Sequence, residues 1–309
     1  MDQSQTQMSQ TKPTAKKAVI VISSHVARGT IGNRAAVFTL ETMGHPVWTV
    51  PTVILPWHPG HGPATKIVTP TQEFKAILND LANAKWIDEV GAVLTGYMAN
   101  EQQVDAVTQF IKTLKAKNKD IVHLCDPVMG DNGKLYVSEE TAKAIKSDLV
   151  PVSNIITPNL FEFGYLNDKN ITTIQEAIEA SKNFPNQTML ITSIAGMMSN
   201  QIGNLLVKGK EILFAEHRYV NGPPNGSGDL VSALFIANML EYTKLETVLQ
   251  RTTAAAFEII ANSAKQQADE LLLETNTHSF LRPMAMVQIR SMGLATQIRK
   301  APKRKPKTT

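Results

Sequence analysis

The chain has 309 residues, 43% of them hydrophobic, which is ordinary for a globular protein that buries a large core. No run of about 18 apolar residues occurs, the start MDQSQTQMSQTKPTAKK lacks the apolar centre of a signal peptide, and Cys125 is the only cysteine. These features exclude a helical membrane span, an internal disulfide and cysteine-rich zinc spacing, and they fit a cytoplasmic protein. The net charge of +4 sits in the ends: residues 299–309 contribute +6 and residues 1–17 contribute +2, which leaves −4 for the body. The basic end is read as a solvated, disordered tail, although such tails also touch RNA or membrane surfaces.

From the N-terminus, residues 18–23 (AVIVIS) read as a buried strand, followed by a helix over 33–43 that Gly44 stops. Residues 47–53 read as a strand in which Pro51 marks an edge or a bend. A helix is expected over 72–84, with Leu78 and Leu81 on one face, and a short buried strand over 92–95. Residues 101–117 place Val104, Val107, Phe110, Ile111 and Leu114 at helical spacing. A strand over 121–125 ends at Asp126. Helices follow over 138–148, with Ser138 as N-cap, and over 174–183, with strands over 155–157 and 189–193. Residues 203–220 read as one or two antiparallel strands around Lys208-Gly209-Lys210, and two long helices fill 228–242 and 246–267.

This alternation predicts a mostly parallel sheet with helices on both faces, folded as one domain over 18–295 between disordered tails at 1–17 and 296–309. In such sheets ligands bind beyond the carboxyl ends of the strands. The rule selects Ser23-Ser24-His25, Asp126, Thr157-Pro158-Asn159 and Thr192-Ser193.

The chain lacks the P-loop, the dinucleotide glycine fingerprint, the nucleophile elbow and the zinc-peptidase histidine pair. Four clusters remain. Gly226-Ser227-Gly228-Asp229 precedes an apolar helix, so its amides and the helix dipole form an anion site. Asp229 reads either as a cap for that helix or as a base that takes a proton from an attacking hydroxyl. CDPVMGD ends a buried strand at Asp126, which reads as a Mg²⁺ holder or as a turn cap. In TPNLFE, Asn159 and Glu162 are three residues apart, oxygen ligands for Mg²⁺ or a reciprocal cap. The fourth cluster, SSHVARGTIGN, offers Ser24 and His25 to a small polar substrate; a lone histidine such as His25 is more often structural.

In this order, SHVARGTIGNRAAVF, PTV at 51–53, LTGYM at 94–98, CDPVMGD, TPNLFE, ITS at 191–193 and GSGDL at 226–230 resemble the pyridoxal kinases of the ribokinase superfamily. The resemblance runs from Ala18 to about residue 270. It implies a three-layer α/β/α ribokinase-like fold with a mostly parallel central sheet, and a homodimer. The implied reaction moves the γ-phosphoryl group of ATP to the 5′-hydroxyl of pyridoxal, with Mg²⁺ and with a monovalent cation left open. By resemblance Asp229 is the base, and the amides of Gly226, Ser227 and Gly228 form the anion hole. Asp126, Asn159 and Glu162 organise Mg²⁺ and phosphates; Asp131, Thr157, Thr192, Ser193 and Ser227 line the ATP side. Ser24, Val53, His58 and Tyr97 surround the pyridine ring, with Asp229 facing its hydroxyl. Three positions depart from the family pattern, two of them in one loop: Pro59 replaces a hydroxyl, and His61 occupies an aromatic position. Ser227 stands for the more usual threonine. The competing readings are a hydroxymethylpyrimidine kinase of the same fold, a non-catalytic B6 or nucleotide binder, and a nucleic-acid binder acting through the basic tail.

Overall fold

The computed structural model describes residues 15–293. The expected tails lie outside these residues, apart from 15–17. There Lys16 donates to the Met43 carbonyl at 2.6 Å and pairs with Glu241, and Lys17 donates to the Asp88 carbonyl at 2.9 Å.

The chain opens with β1 (Ala18–Val26), α1 (Asn33–Thr42), β2 (Val47–Leu55), β3 (Ile67–Val68) and α2 (Thr71–Ala82). It continues through β4 (Val90–Thr95), α3 (Glu101–Lys117) and β5 (Val122–Cys125). A hairpin of β6 (Gly130–Asp131) and β7 (Lys134–Leu135) leads to α4 (Glu139–Ala144), β8 (Ile155–Ile156), α5 (Leu160–Leu166), α6 (Ile174–Ser181) and β9 (Thr188–Ala195). The last part comprises β10 (Gln201–Lys208), β11 (Glu211–Arg218), α7 (Ser227–Glu241), α8 (Leu245–Lys265), α9 (Thr277–Leu281) and β12 (Gln288–Ser291).

Ten strands form one sheet in the order β12-β11-β10-β9-β8-β5-β4-β1-β2-β3. The six from β9 to β2 run parallel, with antiparallel strands added at both ends. Strand alternation sends Ala18, Ile20 and Ile22 of β1 to one face, beside Phe74, Val107, Phe110 and Ile111. Val19 and Val21 go to the other face, beside Leu40, Leu234, Phe235 and Leu249. Helices α2–α6 cover the first face and α1, α7 and α8 the second, which makes the three expected layers.

Several elements follow directly from local chemistry. Asn100 caps α3 by accepting from the Gln103 amide, and Lys115 and Lys117 sit in the last turn against the dipole. Ser138 caps α4 as expected, accepting from the Thr141 amide. That helix is shorter than predicted, because it passes into a π-helical turn at Ile145–Leu149 and a 3₁₀ turn containing Pro151. Pro51 pairs with Ser23 where the β1–β2 register shifts, one strand from the sheet edge, as the edge-or-bend reading requires. The chain moves from β1 outward to β2, then returns to the other side of β1 for β4, so the topological switch lies between β1 and β4.

Candidate active site

At the carboxyl ends of β1 and β4 lies a cavity of about 10 Å³ whose walls include Ser23, Gly96, Asp126, Asp229 and Ser232. It marks the floor of the cleft at the switch point. Asp229 reaches it from the start of α7. The N-cap of that helix is Gly226, at φ 91° and with no side-chain cap bond, so Asp229 is its third residue and not its cap. Gly226 is required twice over: its φ is left-handed, and a Cβ there would lie 2.2 Å from the Thr30 carbonyl oxygen. Gly228 faces open space, and Ser227 is half-buried, so the first amides of α7 are open to an incoming anion.

The Gly32 amide and the residue's own amide favour the ionised form of the Asp229 carboxyl. Gly32 precedes α1, so the carboxylate stands between the positive ends of two helices. Burial nevertheless dominates and pushes its pKa from 3.8 to about 6. That leaves it mostly ionised at neutral pH, yet basic enough to take a proton.

Asp126 follows β5 and is 7% exposed. Ser232, one turn beyond Asp229 on α7, donates to Asp126 Oδ2 at 2.9 Å and meets Thr157 Oγ1 at 2.8 Å. This buried chain of hydroxyls ties the ends of β5 and β8 to α7. Burial, then Glu162 and Asp229, hold the Asp126 pKa well above the carboxylate range, against the Ser232 hydrogen bond.

Asn159 and Glu162 form the reciprocal cap of α5, the alternative left open by their spacing. Glu162 Oε2 accepts from the Asn159 amide at 2.9 Å. Its Oε1 accepts from Met129 at 2.9 Å and from Gly130 at 3.4 Å. Asn159 Nδ2 in turn donates to the Gly130 carbonyl at 2.9 Å, so the pair also ties down the β6–β7 hairpin. Burial pushes the Glu162 pKa to about 7 in spite of those amides. Asp131 turns toward its own hairpin, accepting from the Asn132 amide at 2.8 Å. On β9, Thr192 is bridged to Asn159 and its amide donates to the Pro158 carbonyl; Ser193 is exposed, at φ 61°.

On the other side of the switch, Gly32 packs on Ser24, where a Cβ would come 2.4 Å from Oγ. Val53 and Tyr97 share an apolar patch with Val26, Ile31 and Leu55. The Tyr97 hydroxyl accepts from Lys66 Nζ at 2.9 Å. His58 Nδ1 accepts from the Gly60 amide and so caps the turn Pro59–His61, while burial lowers its pKa. One strand-end residue selected from the sequence gains a definite place, and one further residue escaped the sequence reading. Ser23 lines the cavity, its Oγ accepts from the Tyr97 amide at 3.1 Å, and its carbonyl accepts from Asn33. Strand alternation from Val19 and Val21 gives it that face. Ser232 was legible only as the residue three after Asp229 on one helix.

Among the described residues no Lys, Arg or His forms an ion pair with Asp126, Glu162 or Asp229. Nor does any group of three His, Cys, Asp or Glu there close around a metal. Buried acidic oxygens without a cation fit Mg²⁺ held largely through water and phosphate oxygens rather than in an all-protein cage.

A sheet with its switch beside a helix-tip anion site, lined by unpaired carboxylates, places the protein in the ribokinase-like class of α/β kinases. The chain belongs to the phosphomethylpyrimidine kinase family, whose model matches residues 32–271. It is 29% identical to a pyridoxal kinase of Corynebacterium diphtheriae, over 89% of this chain and 99% of that one. A pyridoxal kinase of Leifsonia xyli is 28% identical over 89% and 99%. Among solved structures it is similar to the pyridoxal kinase of Leishmania donovani in complex with ADP and pyridoxamine. That likeness has a TM-score of 0.83 and 26% identity, over 90% of this chain and 100% of that one.

Proposed function

We propose that the chain is a pyridoxal kinase that transfers the γ-phosphoryl group of ATP to the 5′-hydroxyl of pyridoxal, giving pyridoxal 5′-phosphate and ADP. The observation that carries the reading is Asp229, held between two helix tips with its pKa at about 6, next to the open amides of α7. Its carboxylate takes the hydroxyl proton as the oxygen attacks phosphorus. The amides of Gly226, Ser227 and Gly228 receive the charge on the transferring group, which is the main catalytic demand of phosphoryl transfer. By the family resemblance Ser24, Val53, His58 and Tyr97 surround the ring; the support here is that Tyr97, half-buried, packs on the apolar cluster that contains Val53.

When bound, Mg²⁺ offsets the charge of the β- and γ-phosphates. Asp126 is the residue best placed for it, with Asn159 and Glu162 acting by ordering the hairpin and through water. Thr157, Thr192, Ser193 and Asp131 border the nucleotide side. The names of the relatives and the SHVARGTIGN opening support pyridoxal as the acceptor. A cytoplasmic homodimer rests on the family resemblance and, for the compartment, on one buried cysteine. Among the described residues, no helix is long and apolar enough to cross a membrane.

The description of the matched family favours a second reading, a kinase of hydroxymethylpyrimidine or its phosphate. One experiment separates them. The purified protein is given MgATP with pyridoxal, with hydroxymethylpyrimidine, and with both in competition, and pyridoxal phosphate is followed by absorbance. Failure to phosphorylate any B6 vitamer would sink the first reading.

A further inference from the structure

The segment after α8 crosses the rim of the cleft, and the Glu270 side chain joins two separate loops there. It is 8% exposed. Its Oε1 lies 2.8 Å from His61 Nε2, and its Oε2 accepts from the Thr30 amide at 3.2 Å. Its backbone bridges Asn225, the residue before Gly226. On either side, Arg28 donates to Asp269 at 2.7 Å and Thr30 Oγ1 to the Leu271 carbonyl at 2.9 Å. Residues 269–271 therefore hold three loops at once: the one between β1 and α1, the turn Pro59–His61, and the approach to α7.

The attachment of the middle loop is the narrowest. Among the described residues, the His61–Glu270 bond is the only hydrogen bond joining residues 57–62 to the rest of the chain; the others are internal to the loop. The loop also faces the phosphate side, since a Cβ on Gly60 would come 3.8 Å from Asn225 Nδ2.

From this geometry we infer that Glu270 is a positioning residue that latches the acceptor-side loop, through His61, onto the loop ahead of α7. The inference rests on the pyridoxal kinase reading. With the latch closed, His58 is fixed on the acceptor side while the anion-binding amides are fixed on the other, so the two halves of the site share one support. The nucleotide side is anchored independently of His61, because the Thr30–Glu270 and Asn225–Glu270 links remain without it. Losing the latch therefore weakens acceptor binding selectively.

The test compares wild type, His61→Ala, Glu270→Gln and the double variant by two readouts. Hydrogen–deuterium exchange of the free protein reads the loop with no substrate present, and initial rates give KM for pyridoxal and for MgATP separately. His61→Ala is expected to speed exchange over residues 57–62 about tenfold and to raise KM for pyridoxal about tenfold, in line with a lost charge-assisted bond. KM for MgATP is expected to stay within about twofold, and the double variant to be no worse than the poorer single one. Unchanged exchange, equal rises in both KM values, or additive single effects would overturn the latch. Wild-type turnover of pyridoxal tests the function itself, so the two failures are distinguishable. If Glu270→Gln does not fold, His61, on an exposed turn, carries the test alone.

Discussion

Replacing Asp229 with Asn separates the role of this residue in catalysis from its role in stability, and the two move in opposite directions. The carboxyl is shifted from 3.8 to about 6, chiefly by burial. At 1.36 kcal/mol per pKa unit, holding the ionised form in the folded protein costs about 3 kcal/mol at neutral pH. That is a ceiling, since the residue keeps some exposure. The sign follows from linkage: the folded state holds the proton more tightly, so the cost is absent below about pH 3.8, grows through about pH 6 and is constant above it. Asparagine has nearly the same shape and carries no charge. Asp229→Asn is therefore expected to be more stable than wild type at pH 7, by about 1–3 kcal/mol, with the difference vanishing toward pH 4. Turnover is expected to fall about 10²–10⁴-fold, the usual worth of a general base. Denaturant melts at several pH values and pyridoxal phosphate formation check both. A variant no more stable than wild type at neutral pH, or one that keeps a tenth of the activity, would refute the reasoning.

Three further expectations follow. In the wild type, kcat/KM for pyridoxal should fall on the acid side with a midpoint near pH 6, as Asp229 gains its proton; a profile flat between about pH 5 and about pH 8 would count against it. Ser232→Ala removes the hydroxyl that orients Asp126 and joins it to Thr157, and is expected to lower kcat/KM about tenfold, with nucleotide affinity measured by calorimetry weakened only when Mg²⁺ is present. Gly226→Ala forces a Cβ to 2.2 Å from the Thr30 oxygen at a left-handed φ, and is expected to cost about 1–3 kcal/mol in a thermal melt and most of the activity.

The parts of the fold that were legible in the sequence are those with a period. The helix over 101–117 is found at those limits because five buried apolar residues mark its face and Asn100 marks its start. The four strand ends were legible because short apolar runs stop at polar residues. Two-residue strands such as β3, β6 and β7 carry no period at all, and β12 is mostly polar and exposed, so its pairing to β11 has no clear pattern behind it. The site shows the same division. Asp229 and Asp126 sit in motifs, whereas Ser232 reads as one small residue inside an apolar helix. Glu270 acquires its meaning from His61, 209 positions earlier, a contact with no local signal. Glu162 lay between: its spacing from Asn159 fitted both ligand and cap, and only the amides of Met129 and Gly130 showed how fully its oxygens are engaged.

Helix α7 is buried on every side from Leu230 to Asn238, with Asp229 at its tip. A rod so enclosed cannot slide or rotate without disturbing the packing of the whole second face, so Asp229, the proposed base, is held as a fixed reference point. Innovation in this protein is thereby channelled. Random libraries along the rod should yield mostly insoluble protein, while libraries over residues 57–62 can remodel the rim and leave the reference point where it is. New alcohol acceptors should therefore be sought among rim variants, with Asp229 left in place.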